Sequence, residues 1–300
     1  MLTIEQTVNN LRKLAIGLTA FALTGCSTTL RDAKPDEERW QSLLDTALTQ
    51  WDNYLSHRFE PGYDGTEPDD APIGLNQPEG DRVFSTMMVE DEVVLRVSGE
   101  IYGAVISKQQ YRNYHLRLQV RWGEQKWDPR RDLLRDSGIL YHSVGPHGAE
   151  WWRSWMQAQE FQVMEGHMGD YWSQATSAMD VRAYAPEYIM NPVASLTQPF
   201  LKVGHGEDIA GLVIRSDNHE SESDWTMLEL ICFEGQSLHI VNGSVVMVLK
   251  NSRYEKDGVV VPLDEGKIQI QSEGAEVFYK NIEIRSIDSL AEAHQALMTE

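Results

Sequence analysis

Cysteine is nearly absent from this chain, and its basic side chains are far outnumbered by acidic ones. The 300 residues include two cysteines, Cys26 and Cys232, which are too few for a disulfide framework or a cysteine-based zinc site. The 26 Lys and Arg residues against 46 Asp and Glu residues give a formal net charge of −20. This balance argues against electrostatic binding of nucleic acid or anionic lipid, and it suits a neutral substrate.

Long apolar runs are also missing, apart from one near the N-terminus. Two basic residues precede Leu14–Leu23, which is too short for a transmembrane helix but suits a signal peptide. The Leu-Thr-Gly-Cys that follows resembles the bacterial lipoprotein box, with Cys26 as the lipidated residue. We expect a signal peptide over 1–25, a tether over 26–36 and a lipid anchor in the bacterial envelope, at the outer membrane because Ser27 follows the cysteine. The alternative is a buried helix with a chance cysteine.

The first part of the mature chain predicts a helix followed by a loop. Apolar residues recur at spacings of three and four between Trp40 and Leu55, as in an amphipathic helix. The stretch 60–82 is rich in Pro and Gly and predicts a long loop.

From residue 83 onward the sequence changes to short runs typical of β-strands. Asn242-Gly243 joins two of these runs and is the strongest hairpin signal in the chain. Many short strands with little helix predict an all-β fold, an antiparallel β-sandwich of concanavalin or jelly-roll type with short peripheral helices. We expect this domain to span 37–287, with a C-terminal tail over 288–300 that could form a short helix.

The stretch 136–172 concentrates the polar and aromatic chemistry of the chain. Two β-like runs flank a loop rich in Gly, Pro, His and Trp. On the second run Glu160 and Gln162 share one face because strand side chains alternate, and on the first run Leu140 and His142 are predicted to share a face. A polar pair beside several tryptophans indicates a carbohydrate-sized cleft. The alternative is a half-exposed sheet whose polar face is solvated and has no binding function.

Four motifs in this order resemble those of the 3-keto-disaccharide hydrolase family. Asp-Ser-Gly-Ile at 136–139 resembles that family's Asn-Ser-Gly-Ile, and Glu-Phe-Gln-Val at 160–163 resembles its Glu-x-Gln-(Ile/Val). Asn242-Gly243 stands where the family has an Asn-Gly hairpin, and 266–282 resembles its closing strands. The resemblance covers nearly the whole mature chain, from about Trp40 to Ile287.

The resemblance implies a concanavalin-type sandwich, often secreted or lipid-anchored, that acts on glycosides oxidised at C3. It also implies a strand and a turn where the periodicity predicts the first helix. Two departures from the family pattern stand out. Asp136 replaces the usual Asn close to the expected site, where it could alter substrate or metal preference, and Lys280 stands where an Arg often precedes Asn-Ile.

A ketone at C3 acidifies the C2 proton, so the glycosidic bond can leave by elimination before water adds back. This chemistry needs a base near C2, a donor or cation at the C3 oxygen and an acid for the departing O1. The catalytic candidates are Glu160 as base, His142 as acid, base or enolate donor, and Glu165. For Glu160 the alternative is a structural carboxylate paired with an arginine.

The remaining candidates would bind substrate or a metal. The substrate-binding candidates are Gln162, Asp136, Trp151, Trp152, Trp155 and Gln271, although each tryptophan could equally be core packing. A divalent metal is left open, with His142, His147, Glu165 and His167 as candidate ligands that lack the spacing of a helical metal motif.

Three functions remain open from the sequence. The leading one is an enzyme that cleaves 3-keto-glycosides. A non-catalytic carbohydrate-binding lipoprotein on the same sandwich is the second, because a fold does not fix a function. An ordinary two-carboxylate glycosidase is the third. The expected partner is an oxidised oligosaccharide or glycoside, with no nucleic acid and with membrane contact only through the lipid.

Overall fold

The computed structural model describes residues 39–61, 70–149, 154–222 and 224–299. These residues all belong to one compact unit. The predicted signal peptide, the lipidation site Cys26 and the tether lie outside the described residues, as do Trp151 and Trp152. Neither helix in the described part of the chain has the length and apolar character needed to span a bilayer.

Within the described residues the chain forms twenty-one strands and two short helices. The early elements are β1 (Gln41–Ser42), β2 (Trp51–Leu55), β3 (Gly74–Leu75), α1 (Gly80–Val83), β4 (Phe84–Val89), β5 (Glu92–Val97), β6 (Gly103–Ser107), β7 (Tyr111–Arg112) and β8 (Tyr114–Lys126). The middle elements are β9 (Asp136–Val144), β10 (Gln157–Met164), β11 (Tyr171–Ser173), β12 (Ser177–Tyr184), β13 (Val193–Ala194), β14 (Phe200–Gly204) and β15 (Leu212–Val213). The last are β16 (Thr226–Phe233), β17 (Gln236–Val241), β18 (Ser244–Lys256), β19 (Val259–Pro262), β20 (Glu265–Ser272), β21 (Ala275–Ser286) and α2 (Glu292–Met298).

The strands pair into two antiparallel sheets, as the sequence predicted. A twelve-stranded sheet has the order β13-β12-β18-β17-β16-β8-β21-β5-β4, with β1, β14 and β19 pairing beside this path. A nine-stranded sheet has the order β15-β11-β10-β9-β20-β6-β2-β3, with β7 pairing to β20. Consecutive strands β20 and β21 lie in different sheets, so the turn between them passes from one sheet to the other.

The main core lies between the two sheets and follows the alternation of strand side chains. On β8, Leu116, Leu118 and Val120 are buried, while the residues between them are partly exposed. From the nine-stranded sheet, Ile139 and Phe161 enter the same buried cluster. Burying one such side chain contributes about 1.5–3 kcal/mol, so this alternation fixes which face of each strand points outward.

The helix predicted between Trp40 and Leu55 is wrong. The segment forms β1, a turn and β2, which is the strand and turn that the family resemblance implied. The three- and four-residue spacing of its apolar residues arises from the turn, where Leu48 has a φ of 50°. The indole N–H of Trp51 donates to the carbonyl of Leu43 at 2.7 Å, which ties the two ends of the turn together.

Other predictions for single elements are confirmed. Asn242 and Gly243 have φ values of 46° and 78° and form the two-residue turn between β17 and β18. The short C-terminal helix is present as α2. The described part of the predicted loop 60–82 contains the short strand β3 and most of the helix α1.

Candidate active site

The outward face of the nine-stranded sheet carries the polar residues that the sequence singled out. Strands β9 and β10 pair so that Glu160 lies opposite Leu140 and Gln162 opposite Gly138. Phe161 points into the main core, so Glu160 and Gln162 share the opposite face, as predicted. We call this surface the cleft face.

Glu160 is buried on the cleft face rather than exposed. Its side chain is 2% exposed, and the amide of Gln174 donates to Glu160 Oε2. A Cβ on Gly138 would lie 2.4 Å from Glu160 Oε1 and 2.2 Å from Gln271 Oε1. The glycine is therefore needed because any larger residue would displace both side-chain oxygens from this position.

Two further carboxyl groups and one arginine lie beside Glu160. Arg130, from the connection between β8 and β9, pairs with the carboxylate of Asp136 and lies 2.9 Å from Glu273 Oε1. Glu273 follows β20 directly, and Asp136 is the first residue of β9. We call Asp136, Glu160, Glu273 and Arg130 the carboxyl cluster.

The carboxyl cluster holds more potential negative charge than its one cation balances. Burial and then the negative charge of Glu273 raise the pKa of Glu160 to about 8. Burial, followed by the charge of Glu273, raises the pKa of Asp136 well above its usual value. Burial also raises the pKa of Glu273, while Arg130 acts in the opposite direction. Glu160 is therefore mostly protonated at neutral pH, which suits a proton donor better than the base that the sequence suggested.

Several buried acceptors around the carboxyl cluster have no donor. Among the described residues, Asp136 Oδ1, Gln162 Oε1 and Gln271 Oε1 are buried without a hydrogen-bond partner. Buried polar atoms in folded proteins are nearly always paired, so three unpaired acceptors on one face indicate a ligand that brings donors. Sugar hydroxyl groups supply such donors.

A tryptophan stands beside Glu160 at the solvent side of the cleft face. Trp172 on β11 lies directly opposite Glu160 on β10, and cross-strand partners share a face. Its side chain is 38% exposed, so one part of the ring is open to solvent. This geometry suits stacking on a pyranose ring.

His142 does not lie on the cleft face, and its prediction as a catalytic group is not supported by the geometry. It has a φ of 52° at an irregularity in the pairing of β9 with both neighbours, which breaks the alternation from Leu140. Its ring packs at near right angles against Tyr114 and Tyr141, two residues of the main core. Burial lowers the pKa of His142 to about 4, so it is neutral and enclosed.

Glu165, His147 and His167 contact residues outside the carboxyl cluster. Glu165 pairs with Arg135 at 2.9 Å, and His167 Nδ1 lies 3.0 Å from Asp170. His147 stacks on Tyr54. Within the described ranges, no group of three or more His, Cys, Asp or Glu side chains is arranged to hold a metal ion.

Trp155 is the one predicted stacking tryptophan that the structure describes, and it is packed. Its side chain is 3% exposed, and its ring stacks at 6.2 Å on Tyr102 in a small cluster with Leu140 and Ala158. With no open ring face, Trp155 supports the cleft rather than offering a surface to a sugar.

Sequence reasoning missed three residues of this site: Arg130, Glu273 and Trp172. Arg130 lies in a connection that the sequence marks only as basic and aromatic. Glu273 adjoins the candidate Gln271, and Trp172 ends the stretch that the sequence did single out, so proximity along the chain was the available signal. Their meeting with Glu160 depends on strand pairing across the sheet.

A cavity of about 620 Å³ lies on the outward face of the twelve-stranded sheet, on the opposite side of the sandwich from the cleft face. The cleft face is the better candidate for chemistry because it combines buried titratable groups, shifted pKa values and unpaired acceptors.

Comparison with known proteins bears on the family. The family model described as "3-keto-alpha-glucoside-1,2-lyase-like domain" matches residues 39–285. No curated protein matches the chain. Among solved structures, a "Putative glycosyl hydrolase" from Parabacteroides distasonis is 14% identical, with a TM-score of 0.45 over 83% of this chain and 100% of that one. The carbohydrate-binding module CBM66 from Bacillus subtilis is 8% identical, with a TM-score of 0.38 over 68% and 92% of the two chains.

Proposed function

The chain belongs to the 3-keto-disaccharide hydrolase family, and on this premise we propose that it cleaves the glycosidic bond of 3-keto-glycosides by elimination followed by hydration. The observation that carries the proposal is the carboxyl cluster. It places a protonated carboxyl, Glu160, beside a second carboxyl, Glu273, that is paired with Arg130. Buried side-chain oxygens without a hydrogen-bond partner lie on the same face.

The reaction uses the acidity that the C3 ketone gives to the C2 proton. A base removes this proton, and the electron pair forms an enolate with the C3 oxygen. The enolate then expels O1, which takes a proton as the C1–O1 bond breaks and a 2-hydroxy-3-keto-glycal forms. Water adds to C1 and a proton returns to C2, which releases the 3-keto sugar.

The carboxyl cluster supplies groups for each of these steps. Glu273, whose ionised form is favoured by Arg130, takes the C2 proton. Glu160 gives its proton to O1 and, once ionised, activates the water that adds to C1. Arg130 stabilises the negative charge that develops on the enolate oxygen.

Substrate binding uses the groups that have no partner within the protein. Asp136, Gln162 and Gln271 accept hydrogen bonds from sugar hydroxyls through their free oxygens. Trp172 stacks on the ring from the solvent side. Gly138 keeps the space in which Glu160 and Gln271 approach the same position.

The test follows the fate of the C2 proton. The chain is incubated in D₂O with a 3-keto disaccharide and with the native disaccharide, with and without chelator, and the products are read by NMR. We expect cleavage of the oxidised sugar alone, with deuterium at C2 beyond that found in authentic product incubated without enzyme. Full retention of C2 protium would instead support direct hydrolysis by two carboxylates.

A carbohydrate-binding protein without activity is the second candidate. The unpaired acceptors and Trp172 would serve binding equally well. Binding of the 3-keto disaccharide without any cleavage in the same experiment would favour it.

We also propose that the protein is exported and held at the bacterial envelope by lipid on Cys26, at the outer membrane, as the Leu-Thr-Gly-Cys sequence suggests. Cys26→Ser should then lose both lipid labelling and membrane fractionation. Unchanged labelling and fractionation in the variant would contradict the anchor.

A further inference from the structure

The outward face of the twelve-stranded sheet carries a groove that the proposed reaction does not use. Its cavity of about 620 Å³ has the size of a small-molecule binding site. The groove is lined by Arg96, Arg121, Trp122, Gly123, Glu124, Gln125, Trp127, Glu276 and Phe278. We call this surface the outer groove.

Strand register shows that the outer groove and the cleft face lie on the two opposite outer surfaces of the sandwich. Phe278 on β21 pairs with Arg96 on β5 and with Arg121 on β8, so these three side chains form one row. Their neighbours Val277 and Tyr279 point into the main core. The row therefore faces solvent on the side away from Glu160.

The floor of the outer groove is held in place by a buried carboxylate. Glu276 Oε1 accepts from Arg96 Nε at 2.8 Å, and its other oxygen accepts from the backbone N–H of Glu124 at 3.2 Å. A Cβ on Gly123 would lie 2.4 Å from Glu276 Oε2, so the glycine is what lets the carboxylate reach this position. The floor of the outer groove is therefore held by hydrogen bonds.

Aromatic rings and balanced charges line the outer groove. The Trp127 ring is anchored by its indole N–H, which donates to Ser98 at 2.9 Å. Phe278 supplies a second ring, and the Arg121 guanidinium lies 4.7 Å from the ring of Trp225 just beyond the groove. The two arginines and two glutamates of the lining balance each other in charge, in a chain whose net charge is −20.

From this lining we infer that the outer groove is a second binding site for a neutral oligosaccharide of hexopyranose units. Aromatic rings stack on pyranose faces, and the Arg, Glu and Gln side chains of the lining offer both donors and acceptors to hydroxyl groups. A charged glycan would leave one sign of the lining unbalanced, and a purely apolar ligand would leave the charged rim without partners. The inference does not depend on the proposed reaction because it concerns binding of unoxidised sugar at another face.

The chain links this groove to the carboxyl cluster through one turn. Glu273 and Glu276 lie three positions apart, yet the first points to the cluster and the second to the outer groove. Arg130 likewise follows Trp127 in the connection after β8. A long glycan held in the outer groove would thus lie near the end of the sandwich where the cluster is built.

The test measures binding of unoxidised maltotetraose and cellotetraose to the full chain by calorimetry. We expect at least one of them to bind the unsubstituted chain and Glu160→Gln equally. Arg121→Ala and Phe278→Ala should each weaken this binding by about tenfold or more, as expected for a contact at the centre of a site. Arg131→Ala is the matched control, because Arg131 lies in the connection after β8, outside the groove, and pairs with Asp128.

Each other result overturns the inference. Failure of both sugars to bind at about 10 mM would remove the site. Binding that Trp172→Ala abolishes and Arg121→Ala leaves intact would place the sugar on the cleft face. Equal binding of tetragalacturonate would overturn the assignment to neutral sugars. Thermal unfolding of Arg121→Ala and Phe278→Ala confirms that both are folded, and Arg121 is exposed enough to be replaced safely.

Discussion

The two outward faces of the sandwich differ in how their carboxyl groups are paired with cations. On the cleft face, Asp136, Glu160 and Glu273 share the single cation Arg130, and the first two are almost fully buried. On the outer face of the twelve-stranded sheet, carboxylates have cations of their own. Arg117 lies 2.7 Å from Glu283, and Arg96 lies 2.8 Å from Glu276.

This difference separates a site built for chemistry from a surface built for solubility and binding. Ion pairs that are exposed or partly exposed contribute about 0–1 kcal/mol to stability. A buried excess of carboxyl groups costs stability because ionising a carboxyl that has no cation of its own is unfavourable in the fold. Such a cost indicates that the groups are retained for their reactivity.

The largest expected effect comes from replacing Glu160, the proposed proton donor of the carboxyl cluster. Glu160→Gln should lower kcat by about 10²–10⁴, because the amide cannot give a proton to O1. In the unsubstituted chain, the rate should fall as pH rises through about 8, where Glu160 loses its proton. Steady-state cleavage of a 3-keto disaccharide between pH 5 and 10 measures both.

Glu229→Gln is the control on the other face. Glu229 is paired with His115 at 2.8 Å on the twelve-stranded sheet, and its loss should leave kcat unchanged. If Glu160→Gln keeps its rate within a few-fold while remaining folded, Glu160 is a structural carboxyl and the contrast between the faces has no catalytic meaning.

The next effect separates two tryptophans of the cleft side. Trp155→Ala should lower the free energy of unfolding by about 3–5 kcal/mol, because it removes a buried ring that packs on Tyr102. Trp172→Ala should leave stability nearly unchanged and should raise KM, since its ring is 38% exposed beside Glu160. Chemical unfolding and kinetics on both variants decide the matter, and equal destabilisation of the two would remove the proposed stacking surface.

The third effect is a pH dependence of stability. The pKa of Glu160 rises from 4.5 to about 8 on folding, so the unfolded chain loses this proton first as pH increases. Glu160 should therefore lower stability progressively between about pH 4.5 and pH 8, by a few kcal/mol, with no further loss above that window. Glu160→Gln should show a flatter profile because its amide does not titrate.

The smallest expected effect is the matched change on the outer face. Glu283→Gln removes the partner of Arg117 and should change stability by at most about 1 kcal/mol at any pH in this window. Urea unfolding of both variants at several pH values provides the comparison. A profile for Glu160→Gln as steep as that of the unsubstituted chain would show that Glu160 ionises normally.

Local patterns in the sequence predicted the sandwich and half of the site. The alternation of β8 and β10 placed Leu118 in the core and Glu160 with Gln162 on the other face, because strand periodicity is a local property. The same rule failed at His142, where an irregularity in the strand rotates the side chain into the core. The helix predicted before Leu55 failed because a turn reproduced helical spacing.

Long-range features could not be predicted in this way. Arg130 meets Glu273 across 143 positions of sequence, and the pairings of β9 with β20 and of β8 with β21 bring them together. The burial of Glu160 likewise depends on groups from other parts of the chain, such as Gln174 and Gly138. Neither the pairing of Arg130 with Glu273 nor the burial of Glu160 can be predicted from a single short window of the sequence.

The turn between β20 and β21 has a consequence for how this family of sequences can change. It crosses from one sheet to the other, with Glu273 at its start and Glu276 just after its end. If insertion or deletion of one residue here shifted β21 by one position along its neighbours, each of its side chains would change face, and Phe278 would point inward and Tyr279 outward. The turn of Asp257 and Gly258 joins β18 to β19, whose four residues are exposed or partly exposed, so a register shift of β19 would bring no buried side chain to the surface. Length variation should therefore accumulate at the second turn and be purged at the first.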